Sequence, residues 1–141
     1  LLIAALAGSA MALQGTWNAV LGKVVGIWQS TFLVHLIGTL TSLVIILLLQ
    51  IGFGSLNKLG QAPWYAYLGG LLNVVIIYAV VRTIPQIGVG NATTAIIAAQ
   101  VLTALVIDCS GAFGMKKIEF HYLDILGLIL LAAGTRILLM D

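Results

Sequence analysis

The chain is built from a succession of long apolar stretches with few polar residues inside them, at roughly 2–22, 29–51, 63–82, 88–110 and 121–140. A helix that spans a bilayer needs about 20 mostly apolar residues. In hydrocarbon every backbone N–H and C=O must be paired within the protein, which leaves helices or a closed barrel. Barrel strands alternate apolar and polar residues; these stretches are continuous, so helices are expected. The expected fold is an all-α membrane protein of five transmembrane helices, forming a single transmembrane domain over residues 1–141. Composition excludes the water-soluble alternative: 62% of residues are apolar, 7% are charged, and the mean hydropathy is +1.19. A soluble domain is about 25% charged and needs those side chains to cover its surface.

Local signals mark the breaks. The first stretch resembles a signal peptide up to Leu13, with Ala10 and Ala12 as small residues. No basic residue precedes it and the apolar run resumes after Gln14, so a retained helix is expected. It stops at Lys23. Gly54, Ser55, Asn57, Lys58 and Gly60 form a loop, and Pro63 suits a first helical position. The third helix is expected to end at Arg82, because Pro85 opposes its continuation, and Gly88 completes a hairpin to the fourth. Trp64, Tyr65 and Tyr67, and Phe120 and Tyr122, sit where interfacial aromatic belts form.

With five crossings, Lys58, Lys116 and Lys117 fall on one side of the membrane, and Lys23, Arg82 and Arg136 on the other. Cytoplasmic loops normally carry an excess of Lys and Arg that fixes orientation. A balance of three against three has two readings: a small bias hidden by chance or by residues outside this sequence, or dual topology, in which the chain inserts both ways and pairs antiparallel with itself. Glycines recur every seven residues at Gly8, Gly15 and Gly22 on the first helix, and at Gly127 and Gly134 on the fifth. That spacing puts each set on one helix face, where small residues let backbones approach. Gly127 and Gly134 are the expected dimer-packing positions.

Polar side chains inside the spans are costly and tend to face a cavity or another helix. Gln14 and Asn18 lie one turn apart on the first helix beside Trp17, and Asn73 lies within the third. Thr93, Gln100 and Thr103 share a face of the fourth, and His35 lies about two turns into the second. Gln14, Trp17, Asn18, His35, Asn73 and Gln100 are the expected substrate-binding residues, lining a polar pocket near the midplane; the alternative role of their polar groups is hydrogen bonding between helices. Single Ser and Thr residues are expected only to bond locally. His35 is the one side chain deep in a span suited to titrate near neutral pH, so it is either a proton-coupling group or a donor to a backbone carbonyl. Asp108 and Asp124 are expected near the membrane edge as partners of Lys116 and Lys117, with Asp124 also favourable in the first turn of its helix.

Several functions are excluded. Six basic residues are too few for a nucleic-acid surface. Cys109 is the only cysteine, so no internal disulfide forms, and the two histidines are too far apart for a metal cluster. No catalytic constellation, phosphate loop or cofactor motif is visible, and an enzyme is not expected. No carboxylate occupies the middle of a span, which argues against exchange of cationic drugs for protons on one buried acid.

Gln14-Gly15 with Asn18, Gly38-Thr39, Gly69-Gly70 after Trp64, then Pro85, Gly88, Gln100, Asp108 and the Leu-Ala-Ala-Gly stretch ending at Gly134 resemble the YdcZ-like family of inner-membrane exporters. That family belongs to the drug/metabolite transporter superfamily. The resemblance covers nearly the whole chain and implies a five-helix unit equivalent to half of a ten-helix transporter. It also implies antiparallel pairing as a homodimer or with a homologous chain, and a multi-pass place in the bacterial inner membrane. Gly127 and Gly134 are similar to the heptad glycines through which related small multidrug resistance proteins pair. Gln14 stands in the region where those relatives carry a glutamate. His35 and Ala99 depart from the family pattern, where a small or apolar residue and a glycine are expected. The expected function is therefore a secondary transporter in the lipid bilayer that exports a small organic molecule by alternating access. A dual-topology ion channel of the fluoride-channel kind is the second reading, weakened by five spans, and a non-transporting membrane subunit is the third.

Overall fold

The computed structural model describes residues 1–119 and 121–138, and everything described is helix or connecting loop. Five α-helices follow one another: α1 Leu2–Val25, α2 Ile27–Leu48, α3 Leu68–Ile87, α4 Val89–Ser110 and α5 Tyr122–Leu138. Short 3₁₀ turns lie at Gly54–Gln61, Trp64–Tyr67 and Ala112–Gly114. Among the described residues, three segments are long and apolar enough to cross a membrane: Ile27–Leu48, Trp64–Ile87 and Val89–Ser110. The α1 helix has 24 residues, about 36 Å at 1.5 Å per residue, but Gln14 and Asn18 interrupt its apolar run. The described part of α5 has 17 residues, about 26 Å; Met140, the expected end of that helix, and Phe120 lie outside the described residues.

The chain divides into two compact units, Leu1–Gln86 and Ile87–Asp141. In the first, α1 turns into α2 at one residue. The helix does not stop at Lys23 but runs on to Val25, and Gly26 alone separates it from Ile27. Gly26 adopts φ 94, ψ 157, a region open essentially to glycine. Its N–H still donates to the Gly22 carbonyl (3.0 Å) and its own carbonyl accepts from the Ser30 N–H (2.9 Å). Both helices therefore lose little hydrogen bonding at the turn. A further buried bond ties them together, from Ser30 Oγ to the Asn18 carbonyl at 3.2 Å.

The far end of α2 closes three residues before the expected Ile51, in a Schellman motif. The Gln50 N–H donates to the Leu47 carbonyl and the Ile51 N–H to the Ile46 carbonyl, with Gln50 at φ 52 where glycine is usual. The third span begins as a 3₁₀ turn carrying the belt aromatics, preceded by an extended Pro63. It does not end at Arg82. Pro85 lies inside α3, which continues to Ile87. Proline there removes one bond, to the Val81 carbonyl, in a turn where later carbonyls lack helical partners anyway. Only Gly88, at φ 84 and ψ 162, stands between α3 and α4, so the expected five-residue connection shrinks to one.

The core of the first unit lies where α1 and α3 meet. Ala19 of α1 and Ile77, Val81 and Ile84 of α3 are buried. A Cβ on Gly22 would lie 2.3 Å from Val81 Cγ1, and one on Gly15 would lie 3.1 Å from Val80 Cγ1. These two glycines give the close approach expected of the first heptad set. Gly8 has nothing within 4 Å of its Cβ position.

In the second unit, α4 ends at Gly111 in a left-handed cap (φ 65, ψ 25). The chain then folds back so that the Ile118 N–H donates to the Asp108 carbonyl (2.9 Å). The α5 helix starts with a reciprocal cap: Asp124 Oδ2 accepts from the His121 N–H at 2.8 Å. Asp124 thus acts first as a helix cap. Ala98 and Leu102 of α4 and Leu128, Leu131, Ala132, Thr135 and Arg136 of α5 line an apolar cleft of about 340 Å³. Gly127 and Gly134 have nothing within 4 Å of their Cβ positions.

Candidate functional site

The first unit joins two of the predicted site residues across helices. His35, half-buried on α2, places Nδ1 2.7 Å from the carbonyl of Thr31 one turn earlier. Asn73 on α3 places its amide nitrogen 3.1 Å from His35 Nε2. A carbonyl accepts only, so Nδ1 must carry the hydrogen. Nε2 then offers a lone pair, and the Asn73 amide donates to it. The two contacts are mutually consistent for one tautomer, the neutral Nδ1–H form. His35 therefore does donate to a backbone carbonyl, as one of its two expected roles required, and its second nitrogen holds α3.

Around this pair, the threonines of α2 and Ser42 satisfy their hydroxyls within the helix. Thr31 Oγ1 donates to the Ile27 carbonyl at 2.9 Å and Thr39 Oγ1 to the His35 carbonyl at 2.9 Å. Thr41 and Ser42 bond the carbonyls of Ile37 and Gly38 in the same way. With His35 bonding Thr31, one face of α2 carries an unbroken series of side-chain-to-backbone bonds, each reaching back one turn. These groups need no outside partner, which suits a helix in lipid. The same holds for Ser9 and Thr16 on α1 and for Thr94 and Thr103 on α4.

The amides differ from the hydroxyls. Asn18 is 7% exposed, and its backbone carbonyl is taken by Ser30. No hydrogen bond reaches its side-chain amide among the described residues. Gln14, one turn earlier, is exposed, and Trp17 is 67% exposed. Gln100, exposed on α4, belongs to the second unit. The first unit thus brings His35 and Asn73 into contact, buries Asn18 and leaves Gln14 and Trp17 on the outside.

Two features of this site escaped the sequence. Trp28 and Tyr78 stack with ring centroids 4.7 Å apart and planes at 30°. Ser30 is fully buried against α1. Trp28 lies next to the Lys23 boundary and could have been assigned to an aromatic belt; its pairing with a residue on α3 has no local signal.

No curated protein and no solved structure matches the chain. One family does, described as "Putative inner membrane exporter, YdcZ", and its model matches residues 1–137. Coverage of that extent, over a helical chain in which three of the described segments are long and apolar enough to cross a membrane, places the protein in the YdcZ inner-membrane exporter family.

Proposed function

We propose that this protein is a secondary transporter of the inner membrane that exports a small organic molecule by alternating access. In this reading α1 and α5 also cross the bilayer, making a five-helix unit. Two such units, either two copies or one copy with a homologous chain, pair antiparallel into a ten-helix carrier. Balanced Lys and Arg on the two sides supports insertion both ways. In inverted pairs of this kind, substrate sites lie near the midplane, and rocking of the units exposes them alternately.

The observation that carries the proposal is the His35–Asn73 bond, which joins an ionisable ring and an amide on two segments long and apolar enough to cross a membrane. Polar groups at that depth are costly and mark substrate or ion pathways. Asn18, whose side-chain amide takes part in no hydrogen bond among the described residues, adds a group able to bond a solute. Gln14, Trp17 and Gln100 remain proposed contacts, acting by hydrogen bonding and shape.

Flux in proteoliposomes tests this reading. Transport of any organic solute by the wild type supports it, and Asn18→Ala and Gln100→Ala are expected to lower that flux at least about tenfold. Unchanged flux in both variants would remove the amides from the pathway, and ion conductance far above carrier turnover would replace the carrier with a channel. Labelling of single cysteines in the loops from each side of the membrane tests the topology. A site reached from one side only in every molecule would end the dual-topology proposal.

A further inference from the structure

The four acidic residues of the chain, Asp108, Glu119, Asp124 and Asp141, all lie in the second unit. The first unit carries Lys23, Lys58 and Arg82 and no carboxylate of its own. Two of these cations come from adjoining turns. Gly22 packs against Val81 where α1 meets α3, and Lys23 and Arg82 each follow directly in sequence. Both are exposed. Like charges so placed repel, and more strongly as lipid lowers the local dielectric. An anion placed between them would reverse the sign of that term.

Aromatic surface lies beside the cations. Tyr78 is one turn before Arg82 on α3, and its ring stacks on Trp28, which stays 63% exposed. A guanidinium matches a carboxylate or phosphate in a planar, two-bonded fit, and an ammonium adds a point charge. An exposed indole takes the apolar body of a ligand. His35 and Asn73 lie further along the same helices, about 13 Å from Arg82 by the axial rise over nine residues of α3. A cation entering at this end would meet two positive charges and no counter-charge within the unit.

We propose that this end of the first unit binds an organic anion, with Arg82 and Lys23 on its carboxylate or phosphate oxygens and the Trp28–Tyr78 pair on its apolar body. The inference rests on the transporter reading only for its role, as the substrate's point of entry, and not for the binding itself. A lipid phosphate shares the recognition chemistry, so the membrane around the protein must be varied independently of the soluble anion.

The test is titration calorimetry on the full chain in nanodiscs, first of phosphatidylcholine alone and then with phosphatidylglycerol. The probes are benzoate, inorganic phosphate and, as a cationic counterpart of the first, benzyltrimethylammonium. Saturable binding of benzoate in phosphatidylcholine, without binding of benzyltrimethylammonium, is expected. The double variant Lys23→Gln, Arg82→Gln is expected to lose about tenfold or more in affinity, and benzoate affinity to fall with added salt. The charge-conserving pair Lys23→Arg, Arg82→Lys is expected to keep binding, which separates charge from folding. Absence of benzoate binding, equal binding of the cation, or full binding by the double variant would overturn the proposal. So would heat that appears only with phosphatidylglycerol and never with benzoate, which assigns the cations to lipid. A protein that binds benzoate as described but moves no solute in proteoliposomes keeps the anion site and loses the transporter reading. One that transports cations alone does the reverse.

Discussion

Asn73 donates to Nε2 of His35 across the boundary between α3 and α2, and the Thr31 carbonyl fixes the other nitrogen of the ring. The bond joins residues 38 apart in sequence and links these two helices through their side chains. In membranes such interhelical bonds are worth about 0.6–2 kcal/mol, since the separated helices find other partners. A double-mutant cycle of His35→Ala and Asn73→Ala is expected to give a coupling energy in that range, measured by unfolding in mixed micelles. Nitrogen NMR of the neutral ring is expected to report hydrogen on Nδ1. Hydrogen on Nε2 would mean that Asn73 presents its oxygen, and the donor assignment would reverse.

Gly22 is expected to be the least substitutable residue of α1. Its Cβ position is 2.3 Å from a methyl carbon of Val81, closer than real atoms approach. Gly22→Ala must push α1 from α3 or turn the valine, at a cost of about 1–3 kcal/mol. Val81→Ala removes the obstructing methyls, so Gly22→Ala with Val81→Ala is expected to be more stable than the sum of the two single changes. Gly8→Ala, with open space around it, is expected to be neutral. Thermal unfolding of the four variants in detergent checks all of these, and equal losses at Gly8 and Gly22 would contradict the packing.

Particular residues show what the sequence could and could not convey. The fourth helix, expected over 88–110, is found at Val89–Ser110, because Gly88 and Gly111 stand at its ends and both take positive φ. The first and third helices run further than expected. Lys23 can extend its charge to the interface from inside a helix, and Pro85 costs a single bond near a helix end. The site was less legible. Periodicity marks which residues share a face of one helix and is silent on which residue of another helix meets them. Gln14 and His35 both looked suited to a pocket from their place on one helix, but only the structure shows that Gln14 is exposed and His35 is bonded across helices. The Trp28–Tyr78 stack was hidden for the same reason.

Two positive-φ residues are expected to respond in opposite directions. Gln50 occupies a left-handed helix cap at φ 52, which costs a side-chain-bearing residue about 1–2 kcal/mol relative to glycine. Gln50→Gly is expected to raise stability by about 1 kcal/mol. Gly26 already uses the freedom of glycine at φ 94, ψ 157, and Gly26→Ala is expected to lower stability by about 1–3 kcal/mol. Chemical unfolding reads both, and a stabilising Gly26→Ala would show that α1 and α2 are joined with different geometry.

Gly127 and Gly134 test the proposed pairing of units separately from the fold. Within the described chain nothing lies within 4 Å of either Cβ position, so neither glycine is required by packing against its own unit at that position. Both sit on α5 at heptad spacing, and Leu126, Ile129 and Leu130 beside them are exposed. If a second chain packs on this face, Gly127→Leu with Gly134→Leu holds the two helices apart by the width of a side chain. Close approach is what drives association in lipid, where burial of apolar surface gives little gain. The double variant is expected to keep the wild-type helix content by circular dichroism and to shift from dimer to monomer in cross-linking from native membranes. Flux should fall with it, since the proposed carrier needs both units. A variant that cross-links as well as the wild type would place the interface elsewhere, and loss of helix content would instead mean that this face is covered within the chain.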